Sequence, residues 1–93
     1  MGIEIKLEQQ TTEEPYLNLS HTEFNMLLPY FNQLQIKTGV VIDEYSDTKL
    51  YPEHSKFLLE LIDENIGDNN INTLISLLKK SSKESVNLLF IGD

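Results

Sequence analysis

The chain has two histidines, His21 and His54, and each adjoins a serine, as Ser20-His21 and His54-Ser55. A serine nucleophile needs a base within hydrogen-bond reach, and in print both pairs supply one. Neighbours one apart on a helix do not face each other, however, and neither pair lies in a Gly-x-Ser-x-Gly setting. The histidines also miss metal-ligand spacings such as His-Glu-x-x-His, so no metal site is expected. Asp43-Glu44-Tyr45-Ser46-Asp47 has the acid density of a calcium loop. That loop requires glycine at its sixth place and glutamate at its twelfth, where this chain has Thr48 and His54. The glycines are scattered singly and build no phosphate loop. Paired carboxylates can do acid–base work, but acids are so frequent here that no pair is privileged. These residues point away from an enzyme and imply no cofactor.

The acids carry a different message. Fifteen Asp and Glu stand against seven basic residues, all lysine, for a formal charge of −8. Arginine, the preferred reader of phosphates and guanine edges, is absent from the sequence. Nucleic acid is therefore not expected as a ligand. An acidic surface favours a basic protein partner through complementary potentials and faster encounter. The plainer alternative is that negative charge keeps a small protein soluble.

The most pointed cluster lies around residues 53–64. Phe57, Leu58, Leu61, Ile62 and Ile66 define an apolar helical stripe, and Glu53, Lys56, Glu60, Asp63 and Glu64 fall opposite it. Acids in a last helical turn oppose the dipole, and Glu60 with Glu64 is a like-charge i,i+4 pair. A local rule broken without visible compensation often marks a functional surface. The competing explanation is that Lys79 or Lys80 neutralises this helix end in the fold. Asp43, Glu44 and Asp47 are expected to extend the same acidic side. Tyr30, Tyr45 and Tyr51 exceed the needs of the core pattern, and Tyr45, inside the acidic loop, is the best candidate anchor. The expected partner-binding set is Asp43, Glu44, Tyr45, Asp47, Glu53, Glu60, Asp63 and Glu64.

These residues need a scaffold. Ile3, Ile5 and Leu7 alternate with Glu4, Lys6 and Glu8, the period of a half-buried strand. A polar loop over 9–15 leads to a second strand at Tyr16–Leu19, suited to hairpin pairing. Ser20 and Glu23 form a capping box opening a helix over 21–36. Pro29 inside that helix predicts a kink or a split, and Gly39 a stop. Val40–Ile42 reads as a β-branched strand, and 43–51 as a polar loop. Pro52 opens a second helix of about 15 residues ending at Gly67. A third follows from Ile71, with Lys79, Lys80 and Lys83 at its close. Val86–Ile91 is apolar at nearly every position, as a central strand covered on both faces would be.

The order β-β-α-β-α-α-β predicts one α+β domain over 1–93, a three- or four-stranded mainly antiparallel sheet packed on about three helices. His21 is placed on the surface of the first helix, and His54 beside the core of the second. No cysteine, no apolar run of membrane-spanning length and no signal-peptide pattern is found, so the chain is expected to remain in the cytoplasm, without a membrane partner.

Three segments give a resemblance. Tyr16-Leu17-Asn18-Leu19-Ser20 before one helix, Lys49-Leu50-Tyr51-Pro52-Glu53 before the next, and the ending Leu89-Phe90-Ile91-Gly92-Asp93 resemble the small acidic immunity proteins of bacterial polymorphic toxin and contact-dependent growth inhibition systems. The resemblance implies a cytoplasmic inhibitor that covers the active site of one cognate toxin domain, often a basic nuclease. It carries over no binding residue by position. Two other readings stay open: a phage or housekeeping adaptor, with homodimers through a strand edge, and a small hydrolase.

Overall fold

The computed structural model describes residues 2–8, 17–63 and 65–92. Strands β1 (Gly2–Leu7) and β2 (Leu17–Ser20) are followed by helix α1 (His21–Thr38) and strand β3 (Thr48–Leu50). Helices α2 (Pro52–Leu61) and α3 (Asn69–Glu84) then lead to strand β4 (Leu88–Ile91). The four strands pair in the order β2-β1-β4-β3, antiparallel throughout. This is the expected α+β domain, with β4 inside the sheet. The expected loop over 9–15, like Tyr16 at the start of the expected second strand, lies outside the described residues.

The alternation in the sequence decides which face is covered. Ile3, Ile5 and Leu7 of β1, Leu17 and Leu19 of β2, Leu50 of β3, and Leu88 and Phe90 of β4 are all buried. α1 packs on β1 and β2, α3 on β2, β1 and β4, and α2 mainly on α3. Phe31 links the layers, 5.3 Å from the ring of Phe24 and edge-on to Phe90 at 6.3 Å. Each such side chain, fully buried, contributes about 1.5–3 kcal/mol.

Both long helices carry explicit start signals. In α1 the Ser20 hydroxyl accepts from the Glu23 amide at 3.1 Å, and Glu23 accepts from the Ser20 amide at 2.9 Å, completing the capping box. Asp68 starts α3 by accepting from the amides of Asn70 and Ile71 at 2.9 and 3.1 Å. The Glu23 carboxylate also accepts from the Asn70 side chain, tying the two helix starts together. Between α2 and α3, fully buried Ser55 and Ser81 lie 2.8 Å apart. Ser81 donates to the Val86 carbonyl, so Ser55 is the donor in the serine pair. Small hydroxyls let these helices approach while satisfying their own polar atoms.

One alternative is decided and three expectations are corrected. Of the kink or split expected at Pro29, the split does not occur: α1 is one helix, with Pro29 on its exposed side. Val40–Ile42 is not a strand; the third strand is Thr48–Leu50, inside the segment read as loop. Pairing with β4 outweighs β-branched propensity there: Lys49 lies across from Leu89, and Thr48 donates to the Val41 carbonyl. α2 has 10 residues and stops at Leu61. Finally, β4 is covered on one face only; Leu88 and Phe90 are buried, while Leu89 and Ile91 are half-exposed.

Two predictions follow from these contacts. Removing residues 86–93 takes out an internal strand that two others pair with, so the shortened chain should lose its cooperative urea transition. The Asp68 carboxyl is held below its ordinary range, chiefly by the Ile71 amide and also by the Asn70 amide. Its contribution is complete above about pH 4 and fades as pH falls through the lowered folded value. Asp68→Asn should therefore flatten the acid limb of stability measured by urea midpoints.

Candidate functional site

The acidic loop is built on local carboxylate turns. Asp43 accepts from the Tyr45 amide at 3.0 Å, an Asx turn that lifts Tyr45 outward to 64% exposure. Asp47 is exposed and accepts from the Gly92 amide at 3.0 Å. Gly92 itself lies against the loop backbone. A Cβ there would meet the Ser46 amide and approach the carbonyl oxygens of Ser46 and Glu44 to 2.6 and 2.8 Å. Only glycine permits that approach, so the end of β4 and the acidic loop are locked together.

Glu44 does not join the surface as expected. It is only 8% exposed, and both its carboxylate oxygens lie 2.9 Å from His21 Nδ1. His21, in the first turn of α1, places Nε2 3.1 Å from the Asn25 side-chain nitrogen. The network assigns Nδ1–H as donor to Glu44 and Nε2 as acceptor from Asn25. A carboxylate that fixes an imidazole tautomer also orients bases in hydrolases. Here the outward nitrogen is met by an amide, and the Ser20 hydroxyl is spent on the Glu23 amide. The pair works as a clasp between α1 and the loop. Twenty-three positions separate its members, and no local pattern in the sequence announces it.

The helical part of the expected set divides. Glu53 and Glu60 are exposed on α2 along with Lys56, opposite the buried Ser55 and Leu58. Asp63 is also exposed, but it lies beyond the helix, where its carboxylate accepts from the Asn65 amide at 2.9 Å. The dipole conflict expected at Asp63 is thus absent, since the helix ends two residues earlier. Glu64 lies outside the described residues. Lys79 and Lys80 are exposed and form no ion pair with Glu53, Glu60 or Asp63; among the described residues the ion pair is Lys49–Glu8 at 3.0 Å, beside the His21–Glu44 hydrogen bond.

The loop set and the helix set do not form one continuous ridge along the chain. Asp43–Asp47 precedes β3, and Glu53 follows it, so the two groups leave opposite ends of that strand. Tyr30 packs partly against the core, Tyr51 stands exposed before α2 with its ring 5.7 Å from that of His54, and Tyr45 alone projects from the acidic loop. His54 is half-buried, as its position beside the apolar stripe implied, and the adjacent Ser55 is turned inward to Ser81.

A shallow depression of about 410 Å³ lies on the uncovered side of the sheet, over Lys6, Lys49, Leu89 and Ile91. Among the described residues no group of three His, Cys, Asp or Glu is placed to hold a metal ion. No described helix is long and apolar enough to cross a membrane. No protein family, curated protein or solved structure matches the chain.

The clasp and the glycine contact make separable predictions. His21→Ala leaves the nearly buried Glu44 carboxylate without its partner and should cost about 1–3 kcal/mol. Gly92→Ala forces a methyl into loop backbone and should cost about 1–3 kcal/mol. Urea titration measures both. A change within about 0.5 kcal/mol would show that neither contact holds the loop.

Proposed function

We propose that the chain is a protein-binding module whose exposed carboxylates meet a basic partner. In its most concrete form it is a cytoplasmic immunity protein, an inhibitor that covers the active site of a cognate basic toxin domain. One observation carries this reading: Glu53, Glu60 and Asp63 are exposed, and no lysine forms an ion pair with them among the described residues. A fold that uses acids only for solubility has every opportunity to pair them, yet Lys79, Lys80 and Lys83 on the adjacent helix leave them alone. Unneutralised charge projects a field over roughly a Debye length, about 8–10 Å, and steers a positive macromolecule toward it.

The contact set is revised from the expected one. Glu44 leaves it, because its carboxylate is committed to His21. Asp43 and Asp47 accept backbone amides, and they flank the exposed Tyr45. A tyrosine beside acids suits the centre of a protein interface. The helix acids set the rate of encounter in this scheme, and the loop holds the docked partner. The immunity assignment rests further on the three resembling segments.

The test uses the C-terminal domain of the protein encoded immediately upstream. Co-expression should restore growth to cells that this domain poisons, and failure of rescue removes the immunity reading. With the purified pair, joint reversal of Glu53→Lys, Glu60→Lys and Asp63→Lys should slow association by about ten-fold or more at low salt. Tyr45→Ala should instead speed dissociation. Rescue with an unchanged association rate would move the contact surface off α2.

A further inference from the structure

The open side of the sheet has an order that neither the clasp nor the acidic helix uses. Register places its outward side chains in two central rows. One row runs Asn18, Glu4 and Ile91 across β2, β1 and β4. Asp47, one residue before the Thr48–Phe90 pair, comes level with Ile91 and extends that row. The second row, two residues along the strands, runs Lys6, Leu89 and Lys49 across β1, β4 and β3. The first row is therefore amide, acid, apolar, acid, and the second is base, apolar, base.

We propose that this face is the interface of a homodimer, its two copies related by a two-fold axis lying between the sheets, across the strands, midway between the rows. Such an axis exchanges the rows. Glu4 then faces the second copy's Lys6, Ile91 faces its Leu89, and Asp47 faces its Lys49, which already pairs with Glu8 at 3.0 Å within one chain and is shared between the two acids, each contact occurring twice as two-fold symmetry demands. Sheets packed face to face stand about 10 Å apart, the reach of lysine–carboxylate pairs flanking an apolar centre.

Three further facts fit this occupant. The strand β4 reads as covered on both faces, and the fold of one chain covers only one, leaving Leu89 and Ile91 half-exposed. A chain of charge −8 repels its own copy over most of its surface, but this face opposes Glu4, Glu8 and Asp47 with Lys6 and Lys49 and is nearly balanced. Lys6 forms no ion pair among the described residues, so it is available to a carboxylate from outside. Lys6 and Lys49 flank Leu89 in register, a placement that does not by itself explain the alternation of acid and base rows.

Four strands at ~4.8 Å spacing and about four residues of ~3.4 Å along each make a face of roughly 260 Å² in projection, about 500 Å² over the two copies, the size of a weak, transient contact. The dimer should therefore be weak, with Kd on the order of 10–100 µM. The helices pack on the other side of the sheet, so dimerisation leaves the acids of α2 uncovered, while it occupies Asp47 and so competes with the basic partner at that one residue of the loop.

Sedimentation equilibrium from about 5 µM to about 1 mM tests the assignment, with circular dichroism confirming that each variant folds. Glu4→Lys should raise Kd about ten-fold or more, by setting lysine against lysine. This variant is discriminating because it lowers the net charge, and general repulsion alone would make it associate more tightly. Lys6→Glu should weaken the dimer similarly, and the double variant E4K/K6E should return Kd to within about three-fold of the parent. Ile91→Glu should leave a folded monomer. A chain that stays monomeric up to about 1 mM overturns the proposal, as does tightening by Glu4→Lys or failure of the charge swap to recover association.

Discussion

A sheet whose helices all lie on one side must divide every strand into a half that excludes water and a half that meets it. The inner half here is Ile3, Ile5, Leu7, Leu17, Leu19, Leu50, Leu88 and Phe90, sealed by the apolar stripes of α1 and α3. Because side chains alternate, that seal sets the orientation of every other strand residue. Glu4, Lys6, Lys49, Leu89 and Ile91 face outward because their neighbours face inward. The acid and base rows of the open face are a consequence of the core. So is the position of the acidic loop, which reaches the sheet only because β3 pairs with β4 and brings Asp47 to Gly92.

Charge is distributed in two different ways on this frame. Some carboxylates are structural: Glu23 and Asp68 cap helix starts, Asp43 and Asp63 close Asx turns, and Glu44 clasps His21. These uses account for much of the acid excess without any partner. Glu53 and Glu60 have no such employment, and Glu60 stands in a last helical turn that lacks a basic residue. The capping and clasping acids Glu23, Glu44 and Asp68 therefore tell little about function, whereas the exposed acids Glu53, Glu60 and Asp63 support the reading of a basic partner. Glu8 shows the structural use most plainly. Hydrogen bonds from Asn87 and then Lys49 hold its carboxyl below the ordinary range, in a contact that pins the sheet's lower corner.

Local patterns in the chain foretold much of the scaffold. The alternation of β1, the capping box at Ser20 and Glu23, the glycine stop at Gly39 and the stripe of α3 are all near-neighbour signals, and each appears where the residues place it. The errors share one origin. Val40–Ile42 has the composition of a strand but pairs with none, while Thr48–Leu50 has weaker composition and a partner in Leu88–Phe90. The expected length of α2 counted apolar spacing through Ile66, although Ile62 is already extended and Asp63 closes a turn. In the candidate site the error at Glu44 is similar: a carboxylate inside a run of polar residues reads as solvent-facing until a histidine from another element lies against it.

Composition and periodicity alone determined that this chain makes an acidic α+β domain with an amphipathic α2 and an internal C-terminal strand. Those properties depend on contacts within a few residues and on the count of charges. Only the tertiary structure decided which acids are consumed and which remain free. It also decided that Leu89 and Ile91 face outward and that Gly92 lies against the loop backbone. The loss of Glu44 to His21, the outward turn of β4 and the approach of Gly92 to the loop depend on pairs separated by 20 or more positions, and the free energy of such a pair exists only after the chain has closed on itself.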